Sequence, residues 1–260
     1  MGILNVTPDS FSDGGQFIST EKAVAHAQKM LAQGVDIIDV GGESTRPGAA
    51  PVPAEEEKHR VCPVIEALNY NFPDITISID TFKANVASAA LEAGAEIIND
   101  ITGLTGDPDM LTTAAASNAG IVIMHMKGKP RTMQDRPEYQ DVVQEVTQFL
   151  QGQKDLAIAA GIEPERLAFD PGIGFGKSLE HNLQILAQLD SVGVHDRPVL
   201  LGVSRKSFMG RILETDDLAA REWPTVGLTS YAIEHGARIL RVHDIQSNAQ
   251  AARMSEAILN

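Results

Sequence analysis

Short apolar runs recur along the whole chain, and each is about as long as a β-strand. Ile and Val dominate these runs, and polar residues rarely interrupt them. The eight runs span residues 2–6, 35–40, 75–79, 95–98, 120–124, 166–169, 198–203 and 238–242. Because their apolar character is nearly continuous rather than alternating, the pattern predicts strands covered on both faces, as in a parallel sheet.

Longer stretches with a helical period of apolar residues separate the runs. One such stripe consists of Val61, Val64, Ile65 and Leu68. Glycines stand where the helices should end, at Gly34, Gly94, Gly120, Gly161 and Gly236. Eight strands that alternate with helices predict a TIM (β/α)8 barrel, built as a single domain from residues 1–260. A doubly wound open sheet is the alternative.

The composition is that of a globular chain and limits where the protein works. Its 260 residues, 43% hydrophobic and 22% charged, match the ~250 residues typical of such a barrel. No apolar run approaches the ~20 residues that cross a bilayer, and the start lacks the pattern of a secretory signal. The single cysteine, Cys62, cannot form an internal disulfide, which fits a reducing compartment. We therefore expect a cytoplasmic protein without a membrane partner.

The net charge of −14 limits the classes of partner. An acidic surface argues against nucleic acid and against an anionic membrane, because both would be repelled. A small anionic substrate stays compatible with this charge, since a few Arg and Lys side chains can dominate the field inside a cleft. The position of the basic residues therefore matters more than their number.

Polar residues crowd the C-terminal ends of all eight predicted strands. These strand-end residues are Asn5, Asp39, Asp80, Asn99, His125, Asp170, Ser204 with Lys206, and Arg241 with His243. A single polar strand end means little, because strands often finish in Asp or Asn for reasons of turn formation. Active sites of (β/α)8 barrels form at these ends, so the complete set predicts an active site there.

The strand-end residues divide into two chemical groups. The carboxylates and the amide of the first group belong to Asp80, Asn99 and Asp170. They suit the amidine-like edge of a flat heterocycle, such as a 2-amino-4-oxo pyrimidine. The basic residues of the second group are Lys206, Arg241 and His243. They follow the last two strands and suit a phosphate or pyrophosphate, unless these charges pair with each other as structural ion pairs.

Several other features carry weaker indications. Two connections, residues 7–19 and 43–55, exceed the usual length of about two to six residues and are predicted to act as lids. The glycine-rich stretch 171–178 lacks the first glycine of a P-loop, and we interpret it as a loop whose backbone approaches a bound ring. His125 suggests a base or a metal ligand, although no helical zinc spacing accompanies it. The three glutamates 55–57 are predicted to form a solvated helix start.

Longer motifs are specific enough to indicate a family. They are MGILNVTPDSFSDGG at 1–15, IDVGGESTRPG at 38–48, FDPGIGFGK at 169–177 and GVSRKSF at 202–208, with the short motifs SID at 78–80, IND at 98–100 and RVHD at 241–244. In this order they resemble the dihydropteroate synthase family over nearly the whole chain. Such enzymes usually have a short N-terminal extension. Here the first predicted strand, residues 2–6, lies at the very start of the chain, so we expect an open barrel base or a further N-terminal segment.

The resemblance implies a transferase of folate biosynthesis. Such an enzyme joins 6-hydroxymethyl-7,8-dihydropterin pyrophosphate to p-aminobenzoate and releases 7,8-dihydropteroate and pyrophosphate. The resemblance also implies Mg²⁺ as cofactor, a homodimer, and a p-aminobenzoate pocket that sulfonamides share. Catalysis then rests on stabilising the charge of the leaving group and of the pterin cation, not on a nucleophilic side chain.

The resemblance also implies roles for individual residues. The pterin-binding residues are Asp80, Asn99, Met124, Asp170 and Lys206. The pyrophosphate-binding residues are Asn5, Thr45, Arg46, Arg241 and His243, with Asn5 also next to Mg²⁺. The p-aminobenzoate pocket contains Phe11, Pro47 and Ser204. The catalytic residues are Lys206, Arg241, His243 and Asp170.

Three other functions stay open. A pterin-dependent methyltransferase would share the barrel and the Asp and Asn contacts but would not need the basic cluster. A non-catalytic pterin-binding homologue would tolerate damage to the connection after the first strand, which is intact here. A sugar-phosphate aldolase would usually carry a Schiff-base lysine on a strand or a cluster of zinc-binding histidines.

Overall fold

Eight strands alternate with helices along the chain, as predicted. The computed structural model describes residues 1–7, 16–44, 49–128, 132–194 and 196–259, without the side chains of residues 16–19. The strands are β1 (Gly2–Asn5), β2 (Ile37–Gly41), β3 (Thr76–Asp80), β4 (Ile97–Asp100), β5 (Gly120–Met124), β6 (Leu167–Asp170), β7 (Val199–Leu201) and β8 (Ala237–Leu240). The helices are α1 (Gln16–Ala32), α2 (Ala54–Asn71), α3 (Ala84–Glu92), α4 (Met110–Ala116), α5 (Val142–Ala159), α6 (Leu179–Ala187), α7 (Ser207–Ile212), α8 (Glu222–Glu234) and α9 (Ile245–Leu259).

All eight strands belong to one parallel sheet, and their order in the sheet follows their order in the chain. A doubly wound sheet reverses its strand order at a switch point, so the sequential order excludes that alternative. The pairing brings strand ends side by side: Asp80 lies opposite Asn99, and Met124 lies opposite Asp170.

Backbone hydrogen bonds also connect the first strand to the residues after the last one. The N–H of Ile3 donates to the carbonyl of Val242 at 3.0 Å, and the N–H of Val242 donates to the carbonyl of Met1 at 3.0 Å. Gly2 and Val242 form a parallel bridge. A side chain that follows β8 can therefore reach across β1 towards β2 and β3.

The sheet is apolar on both faces, as its continuous apolar runs predict. On one face, the stripe of α2 is fully buried and contains Val61, Val64, Ile65 and Leu68. Each such aliphatic side chain contributes roughly 1.5–3 kcal/mol relative to exposure. A smaller, separate cluster of buried residues contains Met1, Val122, Ala168 and Leu200. Within the described residues, no helix combines the length and apolar character needed to cross a membrane.

Two local predictions, for Gly120 and Glu57, are wrong. The other four glycines predicted at helix ends do have the positive φ angles expected there, namely Gly34, Gly94, Gly161 and Gly236. Gly120 instead begins β5, because α4 already ends at Ala116. Glu57 is not solvated: it is 1% exposed and forms an ion pair with Lys83. It precedes Val61 by one helical turn, which places it on the buried stripe of α2.

Candidate active site

Buried polar side chains gather where the strands end. Asp39, Asp80, Asn99 and Asp170 are 0, 8, 4 and 6% exposed. They lie on β2, β3, β4 and β6, at or near the last residue of each strand. Because the strands are parallel and sequential, their C-terminal ends share one side of the sheet. Charged groups are rarely buried without partners, so this set marks a candidate site and brings together the predicted Asp80, Asn99 and Asp170.

Arg241 joins two of these carboxylates. Its Nε donates to Asp39 Oδ2 at 2.6 Å, and its Nη2 donates to Asp80 Oδ2 at 2.6 Å. The arginine predicted to bind pyrophosphate therefore forms ion pairs within the protein, which is the alternative that the sequence left open. Breaking one such buried pair typically costs about 3–5 kcal/mol, because the remaining charge loses its partner.

Asp39 belongs to this site, although the sequence-based assignment omits it. Its Oδ2 also accepts from Asn99 Nδ2 at 3.1 Å, so one carboxylate oxygen connects Asn99 and Arg241. A signal was present in the sequence, because Asp39 interrupts the apolar run 35–40. A carboxylate inside a strand that is covered on both faces must find partners.

Two carboxylate oxygens of this network have no hydrogen-bond partner among the described residues. They are Asp39 Oδ1 and Asp80 Oδ1, and both are buried. A buried acceptor without a partner costs about 1–3 kcal/mol. Native proteins leave such atoms mainly where a ligand, an ion or ordered water can bond them. Asp80 Oδ1 is therefore an acceptor suited to the N–H group of a ligand.

Burial and pairing set the charges of this network. Burial raises the pKa of Asp80, while Arg241 opposes this shift and Asp39 adds to it. For Arg241, burial opposes the charged form, but the carboxylates of Asp39 and Asp80 outweigh it and raise the pKa of the guanidinium. Arg241 therefore stays a cation, and the ionisation of Asp80 depends on it.

Asp170 and Lys206 form the second part of the site. Asp170 ends β6, and its Oδ1 accepts from the N–H of Gly172 at 2.7 Å. Lys206 Nζ donates to the carbonyl of Ile173 and lies 4.2 Å from the ring centre of Phe175. Burial lowers the pKa of Lys206 to about 8, although Asp170 opposes this shift. The lysine is thus held on the glycine loop beside Asp170.

The glycine loop itself, residues 171–177, packs on the protein backbone. A Cβ at Gly172 would lie 1.9 Å from the carbonyl oxygen of His125, and a Cβ at Gly176 would lie 2.1 Å from that of Lys127. Only glycine fits at these two positions. The close approach that they permit is to the residues after β5, and the approach of the loop to a bound ring stays a prediction.

Buried hydrogen bonds of Lys177 connect this loop to His125. Lys177 Nζ lies 2.9 Å from His125 Nδ1 and donates to the carbonyls of Gly172 at 2.9 Å and Phe175 at 3.1 Å. Burial lowers the pKa of His125 to about 3, and Lys177 adds to this shift. His125 Nδ1 therefore faces Lys177, and burial favours the neutral imidazole. Lys177 had no signal of its own beyond its place at the end of the glycine motif.

Ser204 orients His243. The backbone N–H of His243 donates to Ser204 Oγ at 3.2 Å, and Oγ lies 2.9 Å from His243 Nδ1. Ser204 follows β7, whereas the partners of Arg241 lie on β2 and β3. Arg241 and His243, the two residues predicted to bind the anion, therefore form their hydrogen bonds on opposite sides of β8.

The remaining predicted residues divide between described and undescribed parts of the chain. Met124 is buried at the end of β5, and Asn5 is half-buried at the end of β1. Four predicted site residues lie outside the described residues: Phe11, Thr45, Arg46 and Pro47.

Metal binding finds little support from side chains alone. The described residues contain no group of three or more His, Cys, Asp or Glu side chains that could hold a metal ion. Asn5 offers a single amide oxygen. Mg²⁺ is commonly bound by one or two protein groups together with substrate phosphates. Among the predicted metal ligands, the described residues thus offer the amide oxygen of Asn5.

Comparisons with known proteins show which family this chain resembles. Residues 1–243 match the family of pterin binding enzymes. A dihydropteroate synthase of Synechocystis sp. is 48% identical over 258 residues, which cover 99% of this chain and 89% of that protein. The fold matches Yersinia pestis dihydropteroate synthase with a sulfonamide drug complex at a TM-score of 0.93 and 45% identity, over 100% of this chain and 93% of that one. It also matches Xanthomonas albilineans dihydropteroate synthase in complex with 7,8-dihydropteroate at a TM-score of 0.89 and 41% identity, over 100% and 92% of the two chains.

This chain therefore belongs to the family of pterin binding enzymes. Within that family it falls among the dihydropteroate synthases, which are transferases.

Proposed function

We infer that this chain forms a C–N bond between 6-hydroxymethyl-7,8-dihydropterin pyrophosphate and p-aminobenzoate, which yields 7,8-dihydropteroate and pyrophosphate. The observation that carries the inference is the buried acceptor set of Asp80, Asn99 and Asp170, in which Asp80 Oδ1 has no partner among the described residues. Family membership supports the same function, since one structural relative was solved with 7,8-dihydropteroate.

Hydrogen bonds within the protein define which groups remain for a pterin. Asn99 Nδ2 already donates to Asp39, and Asp170 Oδ1 already accepts from the N–H of Gly172. Within the set of Asp80, Asn99 and Asp170, the acceptors that remain for other donors are Asp80 Oδ1, Asn99 Oδ1 and Asp170 Oδ2. A pterin carries N–H donors along one edge, at its 2-amino group and ring nitrogens, and matches such a set. We assign the ring contact to Met124 and the contact with the pterin carbonyl and N5 to Lys206.

Departure of pyrophosphate is the step that the basic residues would stabilise. The bond from the pterin methylene carbon to the pyrophosphate oxygen breaks, and its electron pair stays on pyrophosphate. The amine nitrogen of p-aminobenzoate then bonds to this carbon and releases one proton. Arg241, His243 and Lys206 supply N–H donors and positive charge for the leaving oxygens. No side chain has to act as a nucleophile.

Arg241 has to exchange partners to take this role. Its Nη2 is bonded to Asp80, and its Nε is bonded to Asp39. In our proposal the pterin takes over Asp80, pyrophosphate takes over the Nη2 side of Arg241, and Asp39 keeps Nε. Each exchange replaces one charge-assisted hydrogen bond by another, so the buried charged groups stay hydrogen-bonded throughout.

The remaining roles follow the family. Asn5 would hold a Mg²⁺ ion bound to pyrophosphate, and such an ion supplies further positive charge to the leaving oxygens. We assign pyrophosphate binding also to Thr45 and Arg46, and the p-aminobenzoate pocket, which sulfonamides share, to Phe11 and Pro47. Ser204 would contribute to this pocket through its bond to His243.

We further propose a cytoplasmic homodimer in which each chain is a single-domain, closed (β/α)8 barrel. The hydrogen bonds of Val242 to residues 1 and 3 support closure. An apolar groove of about 370 Å³ between α6, α7 and α8 supports a second copy as its cover, and Ile212 in this groove is 51% exposed. Light scattering should give twice the chain mass of 27.9 kDa, and a single chain mass would contradict the dimer.

A direct assay tests the proposed activity. The protein is mixed with the pterin pyrophosphate, p-aminobenzoate and Mg²⁺, and dihydropteroate and pyrophosphate should form in equal amounts. Pterin binding without product would favour the non-catalytic homologue. Consumption of a methyl-pterin instead would favour the methyltransferase.

A further inference from the structure

The glycine loop 171–177 closes around a buried ammonium group. This group belongs to Lys177, which is 2% exposed and donates to the carbonyls of Gly172 at 2.9 Å and Phe175 at 3.1 Å. The same Nζ lies 2.9 Å from His125 Nδ1 and donates to the carbonyl of His125 at 3.3 Å. One side chain therefore joins two points of the loop to the residue after β5.

The loop in turn contacts two of the groups assigned to the pterin. The N–H of Gly172 donates to Asp170 Oδ1 at 2.7 Å, and Lys206 Nζ donates to the carbonyl of Ile173. A Cβ at Gly174 would lie 2.9 Å from Lys206 Cδ, so the stem of this lysine packs against the loop. The position of the loop backbone thus sets where the carboxylate and the second ammonium group point.

Stability alone explains Lys177 poorly. In the described part of the chain, the groups that surround its ammonium are uncharged: three carbonyls and an imidazole whose neutral form is favoured by burial. Burial lowers the pKa of Lys177 well below its usual value, although Asp170 opposes this shift. Burying an ammonium group without a paired carboxylate is costly, and an apolar side chain would avoid that cost. The side chain is better explained by the position that it imposes on the loop.

We propose that Lys177 is a positioning residue: by holding the backbone of the glycine loop, it orients Asp170 and Lys206 towards the pterin. The proposal rests on the proposed function, because the pterin contacts of these two residues are part of it. The other two acceptors of the site lie on β3 and β4, outside this loop. Loss of the ammonium group should therefore weaken pterin binding without abolishing it.

Calorimetry of Lys177→Met tests the proposal. The change keeps an unbranched side chain and removes the three N–H donors, so the loop loses its bonds to the ammonium group. We expect the Kd for the pterin pyrophosphate, measured without p-aminobenzoate, to rise about 10- to 100-fold, because two contacts are misdirected. The KM for p-aminobenzoate at saturating pterin pyrophosphate should change far less. A wild-type Kd for the pterin pyrophosphate would overturn the proposal.

Two controls separate positioning from a general loss of stability. Leu68→Ala removes fully buried apolar atoms on α2 and should lower the Tm without changing the Kd for the pterin pyrophosphate. Lys154→Met removes a lysine that pairs with the exposed Asp196 at 2.7 Å, and it should change neither quantity. An equal rise of the Kd in Leu68→Ala would overturn the proposal, because the effect of Lys177 would then be stability alone.

A double-mutant cycle shows whether Lys177 acts through Asp170. Residues that act through one another have effects that do not add. The Kd of Lys177→Met combined with Asp170→Asn should therefore rise by less than the product of the two single fold-changes. A rise equal to that product would mean that Lys177 acts independently of the carboxylate, and would overturn the proposal.

Hydrogen exchange follows the loop without any ligand. The N–H of Phe175 donates to the carbonyl of Gly172 at 3.1 Å, and that of Gly174 donates to Asn182 Oδ1 at 2.7 Å. Amides of the peptide 171–178 should exchange faster in Lys177→Met, whereas peptides from β2 should exchange as in the wild type. Unchanged exchange of the loop would overturn the proposal.

Two further outcomes have a defined reading. Should Lys177→Met not fold, Lys177→Gln replaces it: the amide keeps N–H donors on a side chain one bond shorter, so the Kd should rise about 3- to 10-fold. A wild-type Kd in that variant would overturn the proposal. A wild-type protein that forms no dihydropteroate would reject the proposed reaction, whereas the Kd values would still decide the role of Lys177.

Discussion

The acceptor half and the basic half of the site are built differently. Asp80, Asn99 and Asp170 lie on β3, β4 and β6, so backbone pairing in the sheet sets their positions. Arg241 and Lys206 follow strands and reach their places through long side chains. Arg241 binds a carboxylate of the acceptor half, and Lys206 rests on the loop after Asp170. The two halves are therefore coupled through ion pairs and hydrogen bonds. A ligand that binds in one half should change which charged groups of the other half are free to bind a second ligand.

Replacing Arg241 by lysine should break this coupling most strongly. An ammonium group cannot present two parallel N–H bonds to phosphate oxygens or bridge two carboxylates in a planar fork. We expect turnover to fall about 100- to 1000-fold, together with the affinity for pyrophosphate. The affinity for free hydroxymethyl-pterin, measured by calorimetry, should fall less. Arg238→Lys, on an exposed position of β8, is the control. Unchanged pyrophosphate binding would leave Arg241 a structural residue only.

Asp170→Asn tests the acceptor half by itself. The amide would direct N–H donors at the N–H donors of the pterin, at a cost of about 1–3 kcal/mol for each unsatisfied group. Pterin affinity by calorimetry should fall about 10- to 100-fold, while pyrophosphate affinity should hold. The exposed Asp155→Asn serves as the comparison. A wild-type affinity for pterin would remove Asp170 from the site.

Asp39→Asn tests the connection between the halves. This change keeps the shape of the side chain and weakens its hold on Arg241, so the free energy of unfolding should fall by about 1–3 kcal/mol in urea titrations. Pyrophosphate affinity should fall with it, because Arg241 loses the partner that keeps its Nε in place. Asp36→Asn, at the exposed residue just before β2, should have neither effect. A variant as stable as the wild type would contradict the role of Asp39 as counterion.

The pH dependence of Lys206 should give the smallest effect. Burial lowers its pKa from 10.5 to about 8, and the charged groups that influence it are Asp170, Arg241 and Asp80. The folded protein therefore loses this charge as the pH rises through about 8, and kcat/KM should decline above that pH. The contribution of Lys206 to stability should rise between pH 8 and 10.5, because the unfolded chain binds more protons there. Lys206→Arg should remove the decline, and an unchanged profile in that variant would exclude Lys206 as its cause.

Local patterns predicted much of the fold and about half of the chemistry. The apolar runs indicated all eight strands within two residues of their observed bounds. The polar strand ends indicated Asp80, Asn99 and Asp170, since a strand end is a local feature and the parallel sheet aligns such ends. The strand ends also included Asp39, but the residue roles assigned from the sequence omitted Asp39 and Lys177, because the partners that a buried charge finds are visible only in the tertiary structure.

The sequence by itself determined the alternation of strands and helices, the kinds of side chain at the strand ends and the family. These properties depend on backbone preferences and motifs that act over a few residues. Only the tertiary structure decided which charges meet. Arg241 is 202 positions from Asp39 and 161 from Asp80, and they meet because the residues after β8 lie against β1. Lys83 gathers Glu43 and Glu57 from 40 and 26 positions away for the same physical reason: ion pairing depends on distance in space, which the sheet sets and the local sequence does not.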